Sequence, residues 1–476
     1  ETDIRLNNGY GKYLYNKGRF AESEKYFRQA IKSSTWKNPN PYDCEPYYNL
    51  GLSLKKQGKI NTAFDAFYKA VWDGNMQDKA FYQLACIASG RGDYNDALEY
   101  IEKSLVKGMH NLKARTLKSA LLRKLEKNAE TTEFAKETRN IDALDHSAYY
   151  ELYKLTGNGL DEMQAVMRGD NHNYIELALS YMSAYLTDDA IEILKLAPND
   201  NEPMVHYYLY ALTNDKSELD KAENSDSLYC FPNRLEDIAV LKKAIYNGGN
   251  YAAYYLGCLF YDKGRWEESK ESKELWEKCA DNITLPTVYR NLSLVYYNKL
   301  KDGVLALKAM EKAFSIDKSD ARIFFELDQL YKTLNFSLEK RLANMNENSD
   351  LLEKRDDLYT EYITLLNMNG EYDNAYNRIM NHNFHPWEGG EGKIPAQYRI
   401  ALINKAKAEK NTEKAIEYLE KALVYPYNLG EGKLIGNMDN DIYYMLGNLY
   451  EDKEKSEQAY RLAARGEFNL SSAMYY

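Results

Sequence analysis

One stretch constrains this chain more than any other. It is Tyr47-Tyr-Asn-Leu-Gly-Leu-Ser-Leu-Lys-Lys-Gln-Gly58, followed by Ala63, Phe67 and Ala70. Gly51 and Ala63 are small enough to let two helices approach closely, and Leu50, Leu54 and Phe67 fill the space between them. Gly58 ends the first helix, where a positive φ is cheap only for glycine. A second copy carries Leu84-Ala85, Gly92-Asp-Tyr94, Ala97 and Ile101, with Ala85 in the place of Gly51. An earlier copy carries Gly11, Gly18, Phe20, Ser23, Phe27 and Ala30. The step from Gly11 to Gly51 is longer than the step from Gly51 to Ala85 by six positions, inserted near Trp36-Lys-Asn-Pro-Asn-Pro-Tyr-Asp43. A helix pair of this size leaves one apolar face uncovered, so the pairs must stack.

The spacing from Gly51 to Ala85 and the residue order resemble the tetratricopeptide (TPR) consensus. Clear copies return at Leu256-Gly257 with Gly264-Arg-Trp266 and Ser269, and at Leu292, Tyr296, Ala306, Met310 and Ala313. Others lie at Gly370-Glu-Tyr372 with Ala375 and Ile379, at Ala415, Leu419 and Ala422, and at Leu446-Gly447, Tyr450 and Ala459. Weaker copies fill 112–140, 141–170, 174–196 and 321–345. No segment alternates apolar and polar residues long enough for a sheet. The expectation is an all-α chain, an α-solenoid coiled as a right-handed superhelix of about ten or eleven TPR-like pairs. Its expected parts are N-terminal repeats over 1–196, a degenerate helix pair with a loop over 197–250, and C-terminal repeats over 251–476, in one continuous solenoid.

Composition narrows the function classes. Hydrophobic residues at 44% and charged residues at 28% exclude bulk disorder. Sixty-two basic and 72 acidic residues give a net charge of -10, which disfavours a phosphate backbone, so no nucleic-acid partner is expected. No apolar run reaches the roughly 18 residues a membrane span needs. Tyrosine is the outlier at 44 of 476 residues. Most tyrosines are expected to pack between helices, and the rest to line a concave binding surface. Cys44, Cys86, Cys230, Cys258 and Cys279 form no CxxC pair, which argues against structural zinc and a disulfide framework and suggests a reducing cytosol. Four N-x-S/T triplets, at Asn282, Asn291, Asn335 and Asn469, are at the level chance supplies. Glu1 is neither a Met nor the start of a signal peptide, and both ends read as cuts in a longer chain.

Several segments are more particular than the repeat. They are Asn38-Pro-Asn-Pro-Tyr-Asp43 before Glu45-Pro-Tyr-Tyr-Asn-Leu-Gly51; Trp72 with Gln77-Asp78; and His110-Asn-Leu-Lys-Ala-Arg115. Two more are His385-Pro-Trp-Glu-Gly-Gly-Glu-Gly-Lys393 and Tyr425-Pro-Tyr-Asn-Leu-Gly-Glu-Gly-Lys433. Together and in this order they resemble the C-terminal TPR half of a family of large bacterial proteins. In that family a sugar-mutarotase-like β-sandwich of uncharacterised function precedes the repeats. The resemblance spans nearly the whole chain but not the sandwich. It implies a carbohydrate-related role and makes the family's own β-sandwich a candidate docking partner.

The doubled Gly-Glu-Gly-Lys is the strongest local signal, with Gly390 and Gly430 one repeat plus a short insertion apart. Each loop should follow the second helix of one pair and precede the next pair, so both emerge on one edge, roughly 10 Å apart. Glu391, Glu431, Lys393 and Lys433 bear the charge, with Trp387, Glu388, Tyr425 and Tyr427 beside them. One reading is a polar ligand site, in which carboxylates accept sugar hydroxyls and Trp387 stacks. Another is structural, in which the loops dock on each other or on a further domain and the lysines pair with the glutamates. A phosphate loop is excluded, because Ile394 and Leu434 stand where the Walker form needs Ser or Thr. Glycoside hydrolysis needs two carboxyls about 5–10 Å apart across a sugar, a separation sequence cannot supply.

His382 and His385 have a metal-like spacing, but no third ligand is evident, so neither a metal nor a cofactor is expected. The insertion with Trp36, Asn38, Tyr42 and Asp43 reads as a rigid loop with local turn bonds, or as an aromatic and amide surface for a partner or sugar. His110 and Arg115 open a first helix, as cap and salt bridge or as a site. No Ser/His/Asp or Cys/His nucleophile constellation is present above chance. Two functions follow: a binding scaffold for a protein or its own sandwich, or part of a carbohydrate-active enzyme.

Overall fold

A computed structural model describes residues 2–198, 201–264, 270–433 and 439–465. Trp266, Ser269, Leu434, Asn469 and the terminal Ser471–Tyr476 lie outside the described residues. Among the described residues there are 28 α-helices, one short 3₁₀ turn and no strand. The weaker copy over 141–170 forms the pair His146–Thr156 with Leu160–Met167, and Gly157 and Gly159 take positive φ between its helices. The chain forms two compact units, residues 1–283 and 284–476.

In the first unit the pairs begin with Ile4–Asn16 and Phe20–Ser34, Glu45–Lys56 and Ile60–Ala70, and Gln77–Arg91 and Tyr94–Lys107. The small residue at the centre of each first helix meets a bulky one on the second. A Cβ on Gly11 would lie 2.6 Å from the Phe27 ring, and one on Gly51 2.5 Å from the Phe67 ring. Trp276 plays the aromatic part against Gly257, and its indole N–H donates to the Tyr254 carbonyl at 3.2 Å. Where the facing residue is an aromatic ring, a larger residue than glycine at that register would push the ring aside.

The turn between the helices of a pair takes a left-handed residue two positions before the second helix. Gly18, Gly58, Gly92 and Gly370 fill it, and Glu126, Tyr185 and Lys301 adopt the same conformation with side chains. The pattern survives without glycine because packing of the pair outweighs the roughly 1–2 kcal/mol such a residue costs.

The stretch 201–250 holds helices Pro203–Thr213, Lys216–Asn224 and Leu235–Tyr246 with a loop over 225–234. Glu223 reaches from the second of these to the start of helix Tyr251–Asp262. Its carboxylate accepts from the backbone N–H of Asn250, Tyr251 and Ala252 at 2.8, 2.8 and 3.1 Å, and from the Tyr207 hydroxyl at 2.6 Å. A negative charge at a helix N-terminus satisfies donors that have no intrahelical partner.

Contacts in this unit also reach beyond neighbouring pairs. The Lys55 ammonium donates to the Ser183 carbonyl at 3.0 Å, across 128 residues of sequence. Tyr82 and Ser183 hydroxyls hydrogen-bond at 3.0 Å, and Lys56 forms an ion pair with Glu236. Such separations are several times the repeat length, so these contacts join pairs that are not neighbours in the array.

The second unit stacks Pro286–Asn298 with Gly303–Ile316, Ala321–Thr333 with Leu338–Glu347, and Asp356–Met368 with Tyr372–Met380. Lys393–Ala408 with Thr412–Ala422, and Asn440–Leu449 with Lys453–Ala463, complete it. Its core includes Phe324, Leu358, Ile363, Leu365, Leu402 and Leu419, all buried. Arg341 sits buried between Asp328, at 2.6 and 3.0 Å, and Glu361 at 2.8 Å, tying three helices by charge.

Candidate functional site

The two Gly-Glu-Gly-Lys loops lie where the repeat places them. The first joins Tyr372–Met380 to Lys393–Ala408, and the second follows Thr412–Ala422. They are bound to each other. The Phe384 N–H donates to the Asn428 carbonyl at 2.9 Å. The Asn428 side-chain amide donates to the Ile379 and His382 carbonyls at 2.7 and 2.9 Å. The Gly392 N–H donates to the Glu431 carboxylate at 2.8 Å. Gly430 has φ +72°, and a Cβ there would stand 2.2 Å from the Phe384 carbonyl oxygen. Glycine is the residue that lets the backbones come this near.

The lysines do not pair with the glutamates of the motif. Lys433 forms an ion pair with Asp439, and Glu431 is engaged by a backbone amide. The preference is local: Asp439 is buried beside Arg399, at 3.2 Å, and the Tyr425 hydroxyl, at 3.3 Å. Burial and the Asp439 charge push Tyr425 up to about 12. Glu391 accepts from the Gly389 N–H at 3.2 Å within its own loop.

The histidines anchor the first loop. The Asp356 carboxylate, at the start of its helix, meets His382 Nε2 at 2.7 Å, the His385 N–H at 2.8 Å and His385 Nδ1 at 3.3 Å. The His382 ring packs edge-on against Phe384 at 4.5 Å. Among the described residues no three His, Cys, Asp or Glu side chains are arranged to hold a metal.

Between the docked loops lies a cleft of about 260 Å³ lined by Trp387, Glu388, Glu391 and Glu431, with His385, Pro386, Gly390 and Leu429. Trp387 is half-buried and stands on Gly390, where a Cβ would come within 2.1 Å of the indole. Lys393 and Tyr427 are exposed but do not line it. The cleft offers an aromatic wall and three carboxylates. That set suits a cation, a peptide N–H or a sugar hydroxyl and repels a phosphate.

The first unit has a comparable edge. Trp36 and Tyr42 are 81% and 95% exposed in the loop after helix Phe20–Ser34. Asn38 and Asp43 turn the chain by accepting from the N–H groups of Asn40 and Glu45, each at 2.9 Å. Asp73, in the next such loop, accepts from the Cys44 N–H at 3.1 Å, and Lys69 lies over the exposed Trp72 ring at 4.4 Å. His110 is exposed, and the cap is its neighbour Asn111, which accepts from Ala114 N–H at 3.2 Å. Arg115 is buried, bonded to Thr138 at 2.9 Å and the Met109 carbonyl at 3.3 Å, and paired with Glu137 at 3.0 Å. Its contacts brace one pair.

Asp356, Asn428 and Asp439 were not singled out in the sequence. Asn428 stands inside the Tyr-Pro-Tyr-Asn-Leu motif, so a signal existed. Asp356 and Asp439 carry none, because only folding brings them to the loops.

Comparison with known proteins bears on the repeat. The tetratricopeptide repeat family model matches residues 4–34 and 78–105. The chain carries tetratricopeptide repeats. Solved structures similar to it include a tetratricopeptide repeat protein from Parabacteroides merdae, 14% identical, covering 58% of this chain and 98% of that one at a TM-score of 0.33. YrrB, a TPR protein with an unusual peptide-binding site, is 20% identical over 40% of this chain and 94% of its own, with a TM-score of 0.26. Yeast Tom70 is 14% identical, with 97% and 95% covered and a TM-score of 0.28. No helix among the described residues is long and apolar enough to cross a membrane.

Proposed function

We propose that this TPR protein is a binding scaffold that takes a protein partner at the loop edge of its second unit. The observation that carries the reading is the docked loop pair. Two separate insertions are locked together by the Phe384–Asn428 backbone hydrogen bond and the Gly392–Glu431 bond, and the cleft they frame is lined by Trp387 and three carboxylates. Rigid, part-aromatic surfaces of this kind lose little entropy on binding.

A second reading is a sugar site in a carbohydrate-active protein. Trp387 beside carboxylates favours it, since aromatic faces stack on sugar rings and carboxylates accept hydroxyls.

One experiment separates the two. A photo-crosslinking amino acid is placed in cells at Glu388 or Tyr427, with Lys410 in the opposite turn as control. A protein scaffold gives the same discrete polypeptide adduct from both loop positions and none from Lys410. Absence of any loop-specific adduct, together with oligosaccharide binding by calorimetry that Trp387→Ala abolishes, refutes the protein reading in favour of the sugar.

A further inference from the structure

The cleft between the docked loops lacks a cation on two independent counts. The first is its aromatic wall. In the loops of the first unit each exposed tryptophan holds a lysine of its own, Lys37 over Trp36 at 5.4 Å and Lys69 over Trp72 at 4.4 Å. Among the described residues no lysine or arginine lies over Trp387. The second is its charge. Glu388, Glu391 and Glu431 form no ion pair among the described residues, although all three line one cleft of about 260 Å³. The hydrogen bonds they accept come from neutral backbone, the N–H groups of Gly389 and Gly392. Neither lysine of the motif lines the cleft, and Lys433 is held by Asp439. Each carboxylate has about four lone-pair sites, so most of their accepting capacity is unused.

We infer that this cleft takes the guanidinium of an arginine carried by the protein partner. The inference rests on the scaffold reading above and names what that partner presents. Size favours a single side chain. Sites that enclose a whole small ligand run to roughly 300–1,000 Å³, and this cleft lies below that range. Chemistry favours arginine over lysine. A guanidinium is planar and weakly hydrated, so its face can stack on an indole while its edge donates to carboxylates. An ammonium is a compact, strongly hydrated point charge and gains less from a flat wall. The site is also held ready. Trp387 is seated on Gly390, and the Gly392 N–H fixes the Glu431 carboxylate at 2.8 Å, so little ordering remains for the guest to impose.

The test titrates the full chain with end-blocked glycyl-arginyl-glycine, glycyl-lysyl-glycine and glycyl-glutamyl-glycine, read by ligand-observed NMR. The arginyl peptide should bind about tenfold more tightly than the lysyl one, and the glutamyl peptide should not bind. Glu388→Gln should weaken the arginyl peptide about fivefold. Glu388 is exposed and has no partner among the described residues, so this variant keeps the fold. Trp387→Ala should weaken it about tenfold, and Trp387→Phe, which keeps a ring, about threefold. Glu413→Gln, exposed in helix Thr412–Ala422 and outside the cleft lining, should change nothing and so controls for the net acidity of the chain. Equal binding of the arginyl and lysyl peptides, or arginyl binding unmoved by Glu388→Gln and Trp387→Phe, overturns the inference. If photo-crosslinking at Tyr427 still recovers a polypeptide in that case, the scaffold reading stands without the arginine. Arginyl binding that both variants weaken, with no polypeptide crosslinked, upholds the guanidinium site and overturns the scaffold reading instead.

Discussion

Gly430→Ala tests the docked loops directly. Gly430 has φ +72°, so an alanine there carries a left-handed strain of about 1–2 kcal/mol. The steric problem is larger. The new methyl would stand 2.2 Å from the Phe384 carbonyl oxygen and 2.9 Å from its carbon. Carbon and oxygen tolerate about 3.3 Å, so the loops must separate by roughly 1 Å. Both atoms belong to backbone, so no side-chain rotation relieves the contact. A shift of that size stretches the 2.9 Å Phe384–Asn428 hydrogen bond past its useful range. It loosens the Asn428 and Gly392 bonds with it, each worth about 1 kcal/mol. The sum is about 3 kcal/mol of local stability, or roughly a hundredfold in the opening equilibrium. Amide hydrogen exchange at Phe384 and Gly392 reads this, with about a hundredfold loss of protection expected. Gly432→Ala is the control, because no atom lies within 4 Å of its Cβ position. It should change stability by less than about 0.5 kcal/mol. Wild-type protection in Gly430→Ala, or an equal loss in Gly432→Ala, would refute the loop contact.

Two further outcomes concern the first unit. Glu223→Ala strips three backbone N–H groups and a tyrosine hydroxyl of their acceptor, and should cost roughly 2–4 kcal/mol, read as a lower urea midpoint; Glu223→Gln keeps an acceptor and should cost about 1 kcal/mol. Burial pushes Glu24 up, but hydrogen bonds from Lys59, Arg28 and Gln57 outweigh it and hold the pKa at about 2, against 4.5 when free. A depressed carboxylate stabilises the folded state above about pH 4.5 and loses that contribution as pH falls towards 2. The melting-temperature gap between wild type and Glu24→Gln should therefore narrow over that window, and a gap independent of pH would contradict the assignment.

The repeat was legible because it is local. Gly51 and Phe67 sit on facing helices of one hairpin, and any chain with that spacing must pack them together. The same logic placed the Gly-Glu-Gly-Lys loops after second helices. It stopped at which groups the loops hold. Glu431 seeks a backbone amide 39 residues away, and Lys433 turns to Asp439 rather than to either glutamate, because burial gives Asp439 the stronger need of a cation. The sequence also left the concave tyrosines free for a ligand. Folding set Tyr82 against Ser183, 101 residues on, since the curvature that brings such distant pairs together sums small rotations over many pairs. What the sequence alone determined is the unit: two helices, their small-to-large contact and the edge from which loops emerge. What only the tertiary structure decided is which loops meet and which distant pairs touch, because both depend on accumulated geometry that no single repeat encodes.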